Sequence, residues 1–525
     1  MSETPILKDT ARSTGREALQ KNIQAAMALA EAIRSTLGPK GLDKLLIDDE
    51  GRTLVTNDGV TVLETAKVEH PVAKMMINTS STQDRIAKDG TTSTVILAGE
   101  MLQNAWQLIL QGIHPSTIAR GYRKSEQYLL QCISEIKFDS DDKMKSSVVK
   151  TSLAGKGHSS MQETIARVSL DAVQMVADTD STIDISKIKL VSQTGGKVED
   201  SKVFRGLMIP KKRISSDMHK EVNSGKIILI DGGLEKSNVA TDLKLNVTTV
   251  GVLESFRQEE RNMLKRQVDD LVEHGVTVLA CRESIDDEIK NYLSENGIQA
   301  FRRVARSDLN MLARVCDATL VNSVDSLTSN DLGSFIVSKN TTIEGKDFWI
   351  VEGDGKAATI IAKASTVDVV GEVERCFDDS LGVSVQLVEN GSVVCGGGAS
   401  YVALARRLRR YAETIPGREQ LAVEAYADAI EVIVRVLAEN AGIDPITTLL
   451  DVVAKQTNTN SDYIGIDLST GTPSDMVKLG ILEPEGIVKQ AIIGATEVAI
   501  SILRIDDVLW AKQEMQMPDM PDDEM

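Results

Sequence analysis

Helix-spaced apolar residues fill both ends of the chain, while short apolar strands alternate with helices through its middle. A chain patterned this way reads as an insertion, with the two ends forming one helical domain around an α/β segment. Its 525 residues are too many for one hydrophobic core and suit two or three domains. At the start, Ile23, Met27, Ala30, Ile33 and Leu37 recur at helical spacing until Gly38-Pro39 stops the pattern. Leu45-Leu46-Ile47 and Thr53-Leu54-Val55 flank a polar turn and predict a hairpin. Further helices are predicted over Pro71–Ile86, Thr92–Gln111 and Pro115–Ile136, followed by a polar break at Asp139–Lys143.

In the middle, strand candidates Lys226–Ile230, Thr277–Ala280, Thr319–Val321, Phe348–Val351 and Ala358–Ala362 interleave with helical stretches. Those stretches lie near Glu259–Glu273, Ile285–Glu295 and Ser307–Cys316, and the sheet region is expected to end around 365. Helices resume after Gly398. Val423, Tyr426, Ala427, Ile430, Ile433, Val434 and Leu437 form one apolar stripe ending at Asn440-Ala441-Gly442. Another helix is predicted over Glu485–Leu503, and the tail from Gln513, rich in Met, Pro and acid, is expected to be disordered.

Acidic residues outnumber basic ones 77 to 59, a net charge of -18 that argues against a broad nucleic-acid footprint. A nucleotide is still compatible, because Mg²⁺ and backbone amides offset phosphate charge locally. No uninterrupted apolar run approaches the roughly 20 residues of a membrane span, and Met1–Arg16 lacks a signal-peptide centre. The expectation is a cytoplasmic protein without membrane contact. Cys132, Cys281, Cys316, Cys376 and Cys395 contain no C-x-x-C pair and read as reduced core residues.

A few short stretches carry candidate chemistry. Leu37-Gly38-Pro39-Lys40-Gly41 reads either as a wall against a nucleotide or as a helix stop and turn. Asp89-Gly90-Thr91-Thr92-Ser93 precedes a long helix, where first-turn N–H groups and three hydroxyls suit a phosphate. Asp89 could hold Mg²⁺ there or act as an ordinary cap, and the P-loop pattern is missing. Asn57-Asp58-Gly59 has the form of a plain turn. Gly396-Gly397-Gly398 implies close backbone contact with a ribose or base, or else a hinge. Asp379 could orient water at a terminal phosphate, or be one more surface acid. The five histidines show no metal spacing and read as core or surface residues.

In their order and separation these stretches resemble the group II chaperonins, the archaeal thermosome and eukaryotic cytosolic ring family. Thr36-Leu37-Gly38-Pro39-Lys40-Gly41, Asn57-Asp58-Gly59, Asp89-Gly90-Thr91-Thr92 and Gly396-Gly397-Gly398-Ala399 carry the match. Ala438-Glu439-Asn440-Ala441-Gly442 and Ile502-Leu503-Arg504-Ile505-Asp506-Asp507 extend it, from about residue 15 to 512. The resemblance implies a multidomain α and α+β chaperonin fold. Its helical equatorial domain would comprise 1–143 and 398–525, its small intermediate domain 144–209 and 361–397, and its α/β apical domain with a helical protrusion 210–360.

The same resemblance implies ATP, ADP and Mg²⁺ as ligands. Leu37, Gly38, Pro39 and Lys40 would line the nucleotide together with Gly90, Thr91, Thr92 and Ser93, with Gly397 against it and Glu483 near the ribose. Asp89 would coordinate Mg²⁺, Asp58 would sit beside the terminal phosphate, and Asp379 would position the attacking water. Lys156, within Thr151–Ser160, would report the phosphate by charge. Leu253–Glu273 resembles the protrusion that makes a built-in lid, so no separate lid co-chaperonin is expected. Val250, Val252, Leu253 and Phe256 offer apolar surface for lid neighbours or substrate, or for plain core packing. Implied partners are non-native polypeptides and identical or paralogous subunits in stacked rings.

Three positions depart from the family pattern. Lys88 stands where glycine is usual, Asp378 where histidine is common, and Ala399-Ser400-Tyr401-Val402 lacks a frequent acidic residue. If residue 88 has positive φ, lysine strains the turn by ~1 kcal/mol. With Gly232-Gly233, these changes point to a divergent archaeal paralogue that retains ATP hydrolysis. The function expected first is an ATP-dependent foldase. The alternative, left open by Lys88 and Asp378, is an ATPase-weak structural or holdase subunit of a mixed ring. A small-molecule kinase is a poor third, for no acceptor site is evident.

Overall fold

Two stretches far apart in sequence, Met1–Gly157 and Asn390–Met525, form one structural unit, and His158–Glu389 forms a second. The computed structural model describes residues 10–511 apart from 48–50, 52, 67, 178–182, 236–251 and 344. The tail from Gln513, Val250, and the side chains of Val252, Leu253 and Phe256 lie outside the described residues.

The first unit is helical. Pro71–Ala87, Thr91–Leu110, Pro115–Ile136 and Glu485–Leu503 begin and end within one residue of their predicted limits. Local chemistry explains two of those starts. His70 and His114 each precede a proline at the first turn, and their imidazoles accept from the N–H groups of Val72 and Ser116. Thr91–Leu110 is the central helix: Val95, Leu97, Ala98, Met101, Leu102 and Ala105 are buried around its circumference. Gly15–Arg34 approaches it closely at Gly99, where a Cβ would lie 2.6 Å from that of Ala30. Across the same core the Tyr122 and Tyr426 rings meet edge to face at 5.2 Å. Their hydroxyls bond to the Met101 carbonyl and to Thr496, so two large aromatics are buried without an orphaned polar tip.

Two expectations need amendment. Glu485–Leu503 is a helix of 19 residues, long and apolar enough to cross a membrane by length and composition. In the sequence, polar Glu485, Lys489, Gln490, Thr496 and Glu497 interrupt its apolar run. The helix packs against Pro71–Ala87, Thr91–Leu110 and Pro115–Ile136, with Ile487, Val488, Ile492, Val498 and Ile502 buried. The apolar stripe from Val423 to Leu437 is two helices, Glu419–Ile430 and Val432–Asn440, separated at Glu431. Arg409 grips the Glu431 carboxylate with two hydrogen bonds of 2.5 and 2.7 Å at that break.

Small sheets complete this unit. Thr10–Thr14 pairs antiparallel with Asp507–Ala511, joining the chain ends, and Lys44–Ile47 pairs with Thr53–Thr56 as the predicted hairpin. Ser392–Cys395 lies between Leu482–Pro484 and Phe138–Asp139.

In the second unit a seven-stranded sheet is built on parallel strands Glu221–Ile230, Val276–Cys281, Gln299–Phe301 and Leu320–Val321. Strand alternation serves both faces. Ile228 and Ile230 pack with Leu264, Val268 and Leu271 of the helix Val252–Glu273. Ile227 and Leu229 pack with Leu309, Leu312 and Val315 of Arg306–Cys316, beside the stacked rings of Phe301 and Trp349. A smaller sheet orders Ile188–Thr194, Ala358–Ala364 and Lys202–Arg205. The helix Val367–Asn390 closes the unit. All five cysteines are free and buried, and burial pushes the Cys316 and Cys395 thiols up to about 12.

Candidate functional site

Asp89 is the natural starting point, because its loop joins two long helices. Pro71–Ala87 ends at Lys88, left-handed at φ 58°, and Thr91–Leu110 begins after Gly90, left-handed at φ 78°. Lysine in that conformation carries the strain anticipated from the sequence, ~1 kcal/mol relative to glycine. Its ammonium stands 3.9 Å from Asp84.

Gly90, at the N-cap of the helix Thr91–Leu110, makes no side-chain capping hydrogen bond. Its first-turn N–H groups lack intrahelical acceptors, and its positive dipole end faces the Asp89 loop. Thr91 is buried, whereas Thr92 and Ser93 are half-buried. Burial drives the Asp89 carboxyl up from its ordinary range, and nearby Asp58 and Asp84 add to that rise. The Gly90 N–H, 2.6 Å from Asp89 Oδ1, and the charge of Lys156 work the other way.

Asp58 reaches the same place on a different helix. It is the N-cap of Gly59–Thr65, accepting from the Thr61 N–H at 2.9 Å and hydroxyl at 2.6 Å. The turn read from Asn57-Asp58-Gly59 is therefore a capped helix start. Gly59 permits it to approach: a Cβ there would fall 2.5 Å from Thr92 Oγ1.

The Leu37–Gly41 loop is held from the other chain end. Asn440 Nδ2 donates to the carbonyls of Arg34 at 3.1 Å and Leu37 at 2.9 Å. Arg34 pairs with Glu439 at 2.9 Å. Against the far side lies the loop carrying Lys156, where a Cβ on Gly155 would be 3.3 Å from the Gly38 carbonyl oxygen.

Gly397 and Glu483 come from the sheet that follows. Strand Ser392–Cys395 runs into the glycine run, and Val394 is in register with Glu483. A Cβ on Gly396 would sit 3.1 Å from Glu483 Oε1. Burial, with a further contribution from Asp89, pushes the Glu483 carboxyl up to about 8. Tyr401, 4% exposed, has its phenol raised by burial and by the charges of Glu483 and Asp89.

Leu37, Gly38, Pro39, Lys40, Asp58, Asp89, Gly90, Thr91, Thr92, Ser93, Lys156, Gly397 and Glu483 all belong to the first unit. Asp379 belongs to the second unit, half-buried on the helix Val367–Asn390 beside exposed Asp378. Reading the sequence passed over Gln83, which donates to the Asp89 carbonyl at 2.8 Å. It also left Asn440 without a task. Gln83 falls within an ordinary helical stretch, and Asn440 reads only as part of the helix stop Asn440-Ala441-Gly442. Among the described residues, no group of three or more His, Cys, Asp or Glu side chains is arranged to hold a metal.

Comparison with known proteins gives one consistent result. The sequence model of the TCP-1/cpn60 chaperonin family matches residues 29–513. A thermosome subunit of Methanopyrus kandleri is 42% identical over 511 residues, covering 96% of this chain and 93% of that protein. A thermosome subunit of Pyrococcus horikoshii is 41% identical over 521 residues, covering 97% and 94%. The thermosome subunit beta of Thermoplasma acidophilum is 42% identical over 517 residues, covering 97% and 95%.

Proposed function

The chain belongs to the TCP-1/cpn60 chaperonin family and is of the group II, thermosome type, and from that premise we propose how its residues do the work. It is an ATP-dependent chaperonin subunit, an ATP hydrolase that promotes protein folding. The observation that carries the site's reading is the desolvated Asp89 beside the start of a 20-residue helix, with Lys156 as the cation acting on it. A buried carboxylate in that setting fits Mg²⁺, which takes one or two protein carboxylates and completes its shell with phosphate oxygens and water. Asp89 would hold that ion, whose charge when bound offsets the phosphates of ATP.

The remaining roles belong to protein groups. The N–H groups and hydroxyls of Thr91, Thr92 and Ser93, with Gly90, cradle phosphate at the positive end of the helix. Leu37, Gly38, Pro39, Lys40 and Gly397 form the walls against ATP or ADP. Asp58 stands beside the terminal phosphate, and Lys156 senses it by charge. Asp379 orients the attacking water and accepts its proton, a role assigned from the family resemblance of its segment.

Asp89→Asn tests this reading. Mg²⁺ should tighten ADP binding to the wild-type protein and should lose about 10–100-fold of that effect in the variant. Equal tightening in both proteins would remove Asp89 as the ligand.

Glu483 supplies a pH dependence. With its carboxyl at about 8, it is mostly protonated at neutral pH and can donate to a ribose oxygen. Because the folded protein keeps a proton that the unfolded chain releases near 4.5, this group costs stability progressively as pH rises from 4.5 through 8. Ionisation also adds negative charge beside Asp89. Affinity for ADP should fall about threefold to tenfold between pH 6.5 and 9, an order expected for one added charge at partly screened range. Glu483→Gln should flatten that profile, and an unchanged slope in the variant would relieve Glu483 of the role.

The domain assignment follows the family: equatorial near 1–143 and 398–525, intermediate near 144–209 and 361–397, apical near 210–360. By the family resemblance Leu253–Glu273 contributes the protrusion that makes a built-in lid, so no separate co-chaperonin is expected. Subunits, identical or paralogous, stack in two rings around non-native polypeptides in the cytoplasm. Leu45, Ile47 and Val55 support such self-assembly, being 56–65% exposed on a two-stranded hairpin that would otherwise keep them in water.

A further inference from the structure

We infer that Gln83 is a positioning residue for the Asp89 carboxylate, an inference that rests on Asp89 being the Mg²⁺ ligand. Gln83 is 1% exposed, near the end of the helix Pro71–Ala87. Its Nε2 donates to the Asp89 carbonyl at 2.8 Å and, at longer range, to the Ile487 carbonyl at 3.4 Å. Two carbonyl oxygens at one end of the amide fix which way round it sits, since the reverse would set Oε1 against both. In that orientation Oε1 is buried without a hydrogen-bond partner. An orphaned buried acceptor is costly, and an apolar side chain of similar size would avoid it. Packing alone therefore does not account for glutamine here.

What the amide achieves is local. Only Lys88, Asp89 and Gly90 separate the two helices, and Gln83 pins the middle carbonyl of that link. The Gly90 N–H at the same time engages Asp89 Oδ1. With its carbonyl and one carboxylate oxygen both held, Asp89 has little freedom to rotate. Gly90 completes the clamp by lacking a Cβ, which would meet Ile487 Cγ2 at 2.8 Å and Gln83 Nε2 at 3.0 Å. Ile487 lies on the helix that follows Glu483, so the same amide ties the Asp89 loop to the strand from the other chain end. Gln83 acts on the metal ligand as an outer partner does, through orientation and without contact to the ion.

Full-length Gln83→Met and Gln83→Asn are the test; the first removes both donors, and the second draws them back by one methylene. ADP affinity is measured with saturating Mg²⁺ and with EDTA, beside wild type and Asp89→Asn. Either variant should lose about tenfold of the Mg²⁺-dependent tightening, with metal-free affinity within about twofold of wild type. The Mg²⁺ midpoint for hydrolysis should rise by a similar factor. A role confined to packing would lower thermal stability and leave the Mg²⁺ effect intact, which overturns the inference. Failure of both variants to assemble also overturns it, by placing the residue in folding. If Asp89→Asn loses the Mg²⁺ effect and the Gln83 variants keep it, only the Gln83 inference falls. If Asp89→Asn keeps it as well, the metal-ligand reading falls first.

Discussion

Replacing Asp379 by alanine is expected to cut the ATP turnover rate by about 10²–10⁴-fold, the range typical of a lost general base or water-orienting carboxylate. ATP affinity should stay within about twofold, since a group that acts only in the transition state lowers kcat without removing ground-state binding. The neighbouring residue provides the control. Asp378 is exposed and Asp379 half-buried on the same helix, where Cys376, Phe377 and Ser380 form the buried face. Asp378→Asn should therefore change turnover by less than about threefold. Single-turnover hydrolysis and nucleotide binding on the same preparations separate the two quantities. Equal losses in both variants would mean that the helix Val367–Asn390, and not one carboxylate, is what the reaction needs. A wild-type protein without Mg²⁺-dependent turnover would instead favour the structural or holdase subunit.

The sequence made the helical part of this fold legible because its signals are short-range. A proline in the first turn, with histidine before it, marked the starts at Pro71 and Pro115. Gly38-Pro39 fell just beyond the end of Gly15–Arg34. Two adjacent helices were harder to tell from one long one. The stripe from Val423 to Leu437 keeps helical phase across Glu431, so the break there shows only in the folded backbone. The site divides in the same manner. Gly38, Asp89 and Gly397 stand out in the chain through glycine runs and a carboxylate before a helix start. Asp58 reads locally as a plain turn and gains its role only from the family resemblance. Gln83 and Asn440 do not stand out, because an amide becomes informative only when the carbonyl it faces is known. Those carbonyls belong to Asp89 and Ile487 in one case, and to Arg34 and Leu37 in the other. All but the Asp89 carbonyl come from the opposite end of the chain, beyond any local pattern.

The glycine run Gly396-Gly397-Gly398 is hemmed in by the protein's own atoms, which argues against a hinge. Each of its three positions is crowded by a different part of the protein. A Cβ on Gly396 would meet Glu483 and Ile481, one on Gly397 would meet Met476 Sδ at 2.5 Å, and one on Gly398 would meet Val434 Cγ2 at 2.2 Å. A hinge would need open space that these contacts deny. Gly398→Ala is accordingly expected to be strongly damaging to this unit. Its φ of 73° costs alanine about 1–2 kcal/mol, and forcing the methyl against Val434 adds about 1–3 kcal/mol of overpacking. The total, about 2–5 kcal/mol, is a large share of a domain's stability. Gly417→Ala isolates the conformational contribution, for φ is 80° there and nothing lies within 4 Å of the added methyl. That variant should lose only the conformational part. Urea-dependent hydrogen exchange in the helix Ala399–Ala412 would measure both. A Gly398→Ala loss no larger than that of Gly417→Ala would mean that Val434 yields, and that the glycine run is looser than its contacts imply.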